Sequence, residues 1–220
     1  MSFLSDPREQ WDRTFAVCWW GVYYCTRAFM PLLVASDEGH LVNLSSVNGF
    51  WASFGPSRPH TAYSSAKFAV KGFTEALMVD TRVHAPHVKV SLVMPGHVGT
   101  RIISNSYQLV QGRSIEELSD EQVEPFRAAL KSLGFTADSL SSAEIRAAIR
   151  QLADGFERLA PTSAAQAAKI ILDGVRQERW RILVGADAEA LDQAVRGAPE
   201  QAYEPEFFAR LTQTGHFRRA

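Results

Sequence analysis

His40-Leu41-Val42-Asn43-Leu44-Ser45-Ser46 is a short apolar run closing on two serines, and Val88-Lys89-Val90-Ser91-Leu92-Val93-Met94-Pro95-Gly96 repeats the pattern further on. Short apolar runs bounded by turn formers read as buried strands, and the second, with Val88, Val90 and Val93, is the clearer for its β-branched residues. Between them lies a turn-rich loop through Asn48, Gly49, Gly55, Pro56 and Pro59, then a helical stretch from about Ala62 to Val83 that opens on Tyr63-Ser64-Ser65-Ala66-Lys67. Strand, helix and strand in this order predict an α/β fold with a parallel sheet.

Working outward, Asp6-Pro7-Arg8-Glu9 carries a helix start, with Asp6 as N-cap, Pro7 at the first helical position and Glu9 reaching back as a capping box. The helix runs to Leu33, and Gly39 stops it. Its apolar residues, Phe15, Val17, Trp19, Val22, Tyr23 and Phe29, cover more than one face, which predicts packing on two sides or at a subunit contact. The pairs Trp19-Trp20 and Tyr23-Tyr24 belong to the same core or dimer packing. Downstream, 101–160 reads as helical, an insertion or substrate lid, with Ser141-x-x-Glu144 as a capping box. Ser163-x-x-Gln166 opens a helix through Ala167, Ile170, Ile171 and Val175. Trp180 to Val184 gives one more strand before Gly185, and the tail from Ala186 is amphipathic and then polar. With no repeat or linker in evidence along the chain, 1–220 reads as a single domain.

A formal net charge of -1 leaves no broad basic surface for nucleic acid or anionic lipid. The N-terminal residues carry no basic segment followed by an apolar run, and no apolar stretch reaches bilayer length, so the expected location is the cytoplasm, with neither nucleic acid nor membrane as partner. Cys18 and Cys25, seven positions apart on one helix, are too distant to bridge and are expected to be reduced. His84 and His87 lack a third ligand nearby in sequence, so no metal site is expected.

Tyr63 and Lys67 project from one helix face at i and i+4. A phenol ionises near pH 10, and a nearby positive charge favours the phenolate, so such a pair can exchange a proton with an alcohol or carbonyl oxygen. The chain has no G-x-S-x-G elbow, which argues against a hydrolase built on Ser46.

The order of strand, Ser45-Ser46, loop, Tyr63-x-x-x-Lys67, strand and Pro95-Gly96-x-Val98-x-Thr100 resembles the short-chain dehydrogenase/reductase family. The resemblance covers the chain to about Arg101 and, more loosely, the last helix and strand. It implies a partial Rossmann-like, doubly wound parallel sheet with flanking helices, and an oxidoreductase that interconverts a secondary alcohol and a ketone with NAD or NADP. Tyr63 would be the general acid/base, and Lys67 would lower its pKa and bind the nicotinamide ribose. Ser46, rather than Ser45, would hold the substrate oxygen. Pro95, Gly96, Val98 and Thr100 would meet the nicotinamide, and the family's assembly would be a homodimer or homotetramer.

Two departures qualify this. Cys18 stands where the family usually has an asparagine of the proton relay, and a thiol is a weak donor without a carbonyl acceptor. No G-x-x-x-G-x-G or G-x-G-x-x-G occurs in the 220 residues. The expectation is therefore a chain without the N-terminal Gly-rich, pyrophosphate-binding half, inactive as it stands, with an open edge at Leu41 to Leu44 and a tendency to self-associate. The competing reading is a noncatalytic remnant serving as an interaction or dimerisation module.

Overall fold

The computed structural model describes residues 2–4, 6–55, 59–132 and 136–213; Pro56, one of the expected turn formers, lies outside them. Arg8–Phe15 (α1), a π-helical turn at Ala16–Trp20 and Gly21–Val34 (α2) form one unbroken helical run. Its start differs from the expectation. Pro7 is the N-cap without a side-chain cap, because the Asp6 carboxylate accepts the Ser2 N–H at 2.6 Å instead. Its end differs too: Ala35 is the C-cap and Ser36 Oγ donates to the Leu33 carbonyl at 2.7 Å. Gly39 is instead the first residue of Gly39–Leu44 (β1), where a Cβ would come within 3.3 Å of Leu33.

After β1 come Thr61–His84 (α3) and Val88–Pro95 (β2). The two strands pair in parallel, Leu41 opposite Val90 and Leu44 opposite Val93. Leu92, Val93 and Met94 are fully buried, as a central parallel strand covered on both faces requires. Val70 of α3 packs on Leu92 and Met94, joined by Trp19, Val22 and Phe50. The buried polar residue of β1 is satisfied: Asn43 Nδ2 donates to Thr74 Oγ1 at 3.1 Å.

At His97 the chain leaves this first compact unit for a second, Val98 to Ala164, and it returns at Ala165. The second unit holds Val98–Gly99 (β3), Ile102–Gln111 (α4), Asp120–Ser132 (α5) and Ser142–Arg158 (α6), and β3 pairs in parallel with Thr162–Ser163 (β4). The Ser141–Glu144 capping box forms, and a second one, Ser114–Glu117, opens a 3-10 turn. Ile145, Ile149 and Ala153 fall on one face of α6 and, with Ile115, Leu118 and Val123, give this unit a core of its own.

Back in the first unit follow Ala164–Arg176 (α7), Arg181–Val184 (β5), Ala186–Gly197 (α8) and Pro205–Gln213 (α9). Ser163 lies in β4, just before α7. Trp180 precedes β5, and its carbonyl accepts the Leu92 N–H at 2.7 Å. The sheet order is β1-β2-β5, all parallel, so β1 is an edge strand among the described residues. Arg181 of β5 forks onto Asp192 of α8 at 2.6 and 2.9 Å, a half-buried pair that Arg196 joins. The tail is folded: Phe207 and Leu211 of α9 pack on Trp51, whose Nε1 donates to the Ala202 carbonyl at 2.6 Å.

Candidate active site

Past the end of β1, the Ser45 N–H still donates to the Val93 carbonyl at 2.8 Å, so both serines emerge at the C-terminal end of the sheet. They then part. Ser45 Oγ donates to the Lys67 carbonyl at 2.8 Å and is spent on tying β1 to α3. Ser46 is the N-cap of the 3-10 turn Val47–Gly49, where its Oγ accepts the Asn48 N–H at 3.1 Å. Its hydroxyl also comes near enough to the Tyr63 phenol to favour the ionised form. Lys67, one turn along α3, sets its Nζ over the Tyr63 ring, 5.6 Å from the centroid, and donates to the Leu44 carbonyl at 2.9 Å. Ser46, Tyr63 and Lys67 thus form one cluster.

Gly49 makes the cluster compact. A Cβ there would lie 2.4 Å from Ser45 Oγ and 2.8 Å from the Lys67 carbonyl, so only a bare Cα lets the loop press onto α3. The loop is held open beyond it by Asn48, whose Nδ2 donates to the carbonyls of Trp51 and Ser53 at 3.0 and 2.9 Å. In sequence these two residues read as turn formers; their part in bracing the serines needs contacts that no local pattern shows.

Burial dominates the electrostatics. It raises the Tyr63 phenol above its ordinary 10.0, against a smaller lowering by the nearby Ser46 hydroxyl and with a further upward push from Cys18. Burial also lowers the Lys67 ammonium, with Cys18 opposing, and it raises the Cys18 thiol, with Lys67 opposing. The expected depression of the phenol by Lys67 is therefore not the net result: Nζ lies over the ring face and is engaged with Leu44. Cys18 enters this circle of charges from the π turn, where one extra residue shifts the helix face. Both cysteines are free thiols.

His60, three residues before Tyr63, was not among the sequence candidates. Its ring lies tilted against Phe54 with centroids 4.4 Å apart and meets the Tyr63 ring edge-on at 5.1 Å, and burial pushes its imidazole from 6.5 down to about 4.

Pro95 and Gly96 end β2. Gly96 N–H donates to the Val184 carbonyl at 3.0 Å, and His97 N–H donates to Asp187 Oδ2 at 2.6 Å. Val98 and Thr100 belong to the second unit: Val98 pairs with Thr162, and Thr100 is half-buried just after β3. His84 lies 3.6 Å from Asp80, and His87 contacts the Val34 carbonyl at 3.1 Å. Among the described residues no helix is long and apolar enough to cross a membrane.

Residues 2–111, half of the chain, match the model of the short chain dehydrogenase family. The chain belongs to that family. The short-chain dehydrogenase is 34% identical over 186 residues to SadH of Mycobacterium tuberculosis, a protein named as an oxidoreductase; the match takes in 84% of this chain and 53% of SadH. It is 33% identical over 114 residues to the 3-ketodihydrosphingosine reductase of Bacteroides thetaiotaomicron, covering 51% of this chain and 37% of that protein. The chain thus spans about half the length of SadH or less of its curated relatives. Its fold matches a short-chain dehydrogenase/reductase from Burkholderia phymatum solved with NAD, at a TM-score of 0.60 and 24% identity over 93% of this chain and 63% of that one. A Burkholderia cenocepacia enzyme solved with NADP gives 0.56 at 18% identity over 92% and 60%. The α/β, Rossmann-like architecture and the oxidoreductase class are those of this family.

Proposed function

We propose that the protein interconverts a secondary alcohol and a ketone with NAD or NADP, using Tyr63 as proton donor and acceptor, Ser46 to hold the substrate oxygen and Lys67 to position the cofactor. The observation that carries the reading is the Lys67 ammonium set over the Tyr63 ring, one helical turn from it, with the Ser46 hydroxyl near enough to the phenol to favour its ionised form. Because Ser46 Oγ already accepts from the Asn48 N–H, its own proton is available to an oxygen beside Tyr63. A phenol raised by burial is neutral at physiological pH, the correct state to give a proton to a carbonyl oxygen as charge develops there.

The residues present fit the nicotinamide end of such a cofactor. Lys67 spends one proton on Leu44 and has two left for ribose hydroxyls. Pro95, Gly96, Val98 and Thr100 are proposed to hold the carboxamide. When bound, the nicotinamide gives or takes the hydride, while Tyr63 handles the proton. We assign substrate selection to the helical segment 101–160, and assembly as a homodimer or homotetramer to the outward apolar residues Val17, Trp20, Tyr24 and Leu32 of the first helical run.

Tyr63→Phe removes the transferable proton and keeps the ring. Turnover of an accepted ketone is expected to fall by about 10²–10⁴-fold with an unchanged melting curve; near-normal turnover in the Phe variant would refute the assignment.

A further inference from the structure

Asp187 is 2% exposed, a carboxylate withdrawn from water near the start of α8. Burying such a group is costly unless something in the fold needs it. Its Oδ2 accepts the His97 N–H at 2.6 Å, and its Oδ1 finds no hydrogen-bond partner among the described residues. The position of that bond explains the carboxylate. The last rung between β2 and β5 is Gly96 N–H to the Val184 carbonyl; β5 ends there, so the next amide, His97, has no strand carbonyl opposite it. Asp187 supplies one, extending the ladder by one rung with a side-chain oxygen.

Two glycines make the rung possible. Gly185, at φ 108°, turns the chain from β5 into α8 in a conformation that side chains rarely adopt, and this brings Asp187 back over the strand ends. Gly96 lies directly beneath the carboxylate: a Cβ there would sit 2.2 Å from Oδ2 and 2.6 Å from Oδ1. The first turn of α8 adds a helix N-terminus, which favours negative charge. Glycine, acid and amide are therefore fitted to one another, at the point where the chain departs for Val98 and Thr100.

We infer that Asp187 is a positioning residue that clamps the Pro95-Gly96-His97 turn and so sets where the cofactor-facing backbone leaves β2. The inference rests on the proposed function, which makes this turn nicotinamide-facing. Apart from cofactor, the clamp has its own signature, slow exchange of the His97 amide.

The test compares Asp187→Ala, Asp187→Asn and Gly96→Ala in the full-length protein by amide exchange, steady-state kinetics and melting. Asp187→Ala is expected to speed His97 exchange and raise the cofactor KM by about tenfold with kcat within about threefold, as a displaced turn should. Gly96→Ala should do the same by pushing the carboxylate aside. Asp187→Asn, which keeps a carbonyl acceptor, should stay within about threefold of wild type in both readouts. If Asp187→Ala does not fold, Asp187→Glu replaces it, with the same KM rise expected from the longer acid. A variant without the rung that melts earlier yet keeps the wild-type cofactor KM would overturn the inference. So would an Asn variant as impaired as the Ala one. A wild-type protein that turns over no alcohol or ketone would sink the proposed function instead, and His97 exchange would still report whether the clamp exists.

Discussion

The cluster around Tyr63 and the helical unit from Val98 to Ala164 are held together in different ways. Around Tyr63 the ties span the sequence: Ser45 to Lys67, Lys67 to Leu44, Trp51 to Ala202. In the helical unit the capping ties are local, Ser114 with Glu117, Ser119 with Gln122 and Ser141 with Glu144, each three residues apart. Arg146, which reaches the Leu118 carbonyl at 2.7 Å, is a longer exception. Residues fixed by a sheet and its crossing helix cannot move independently, as proton transfer demands. A unit built on local caps and a small separate core can change its sequence without disturbing them.

Substitutions in the two regions sharpen this contrast. Arg181→Ala should have the broadest effect, on stability and on turnover, because it removes the fork on Asp192 and leaves that acid with Arg196 alone. The expected cost is about 3 kcal/mol, at the lower end for a broken buried pair, or a Tm lowered by about 6–12 °C. The Arg181 guanidinium also lies 5.6 Å from the centre of the Phe50 ring, in the loop that follows Ser46, so turnover should fall with it. Ile145→Ala should cost about 2–4 kcal/mol through the cavity it leaves. Its signature differs: amide exchange should quicken in α4, α5 and α6 while β1, β2 and β5 stay protected. Equal quickening in the sheet would break the contrast.

A smaller effect separates the regions by pH. His60 is held neutral by burial, at about 4 against an ordinary 6.5. The fold therefore favours the uncharged ring, and that stabilisation is complete above pH 6.5 and is lost as the pH falls from 6.5 through 4. With partial solvent screening it amounts to about 2 kcal/mol. Urea unfolding at pH 7 and pH 4 should show His60→Gln losing less stability on acidification than wild type; identical losses would contradict the assignment.

These regions were not equally legible in the sequence. β1 and β2 were plain because apolar runs closing on Ser45-Ser46 and Pro95-Gly96 bound themselves. Tyr63 and Lys67 were plain because a four-residue helical spacing is a local fact. The π turn at Ala16–Trp20 was hidden, since the phase shift it puts into the apolar pattern looks in sequence like a helix that is apolar on more than one face. Asp6 has every mark of an N-cap, yet its carboxylate is taken by the Ser2 amide. Asp187 on His97 and Arg181 on Asp192 are side-chain contacts between separate elements, which periodicity does not encode. The second unit read as loosely helical because α6 carries a clear stripe at Ile145, Ile149 and Ala153, but its partners Ile115, Leu118 and Val123 come from separate segments.

The central claim, that a half-buried Tyr63 acts as the neutral proton donor, is tested most directly by the pH dependence of both reaction directions in the full-length protein. With the phenol above 10.0, kcat/KM for ketone reduction should be flat through neutral pH, while kcat/KM for alcohol oxidation should rise about tenfold per pH unit and reach no plateau below about pH 10. An oxidation profile already level by pH 8 would mean that the phenolate forms near neutrality, and would contradict the account.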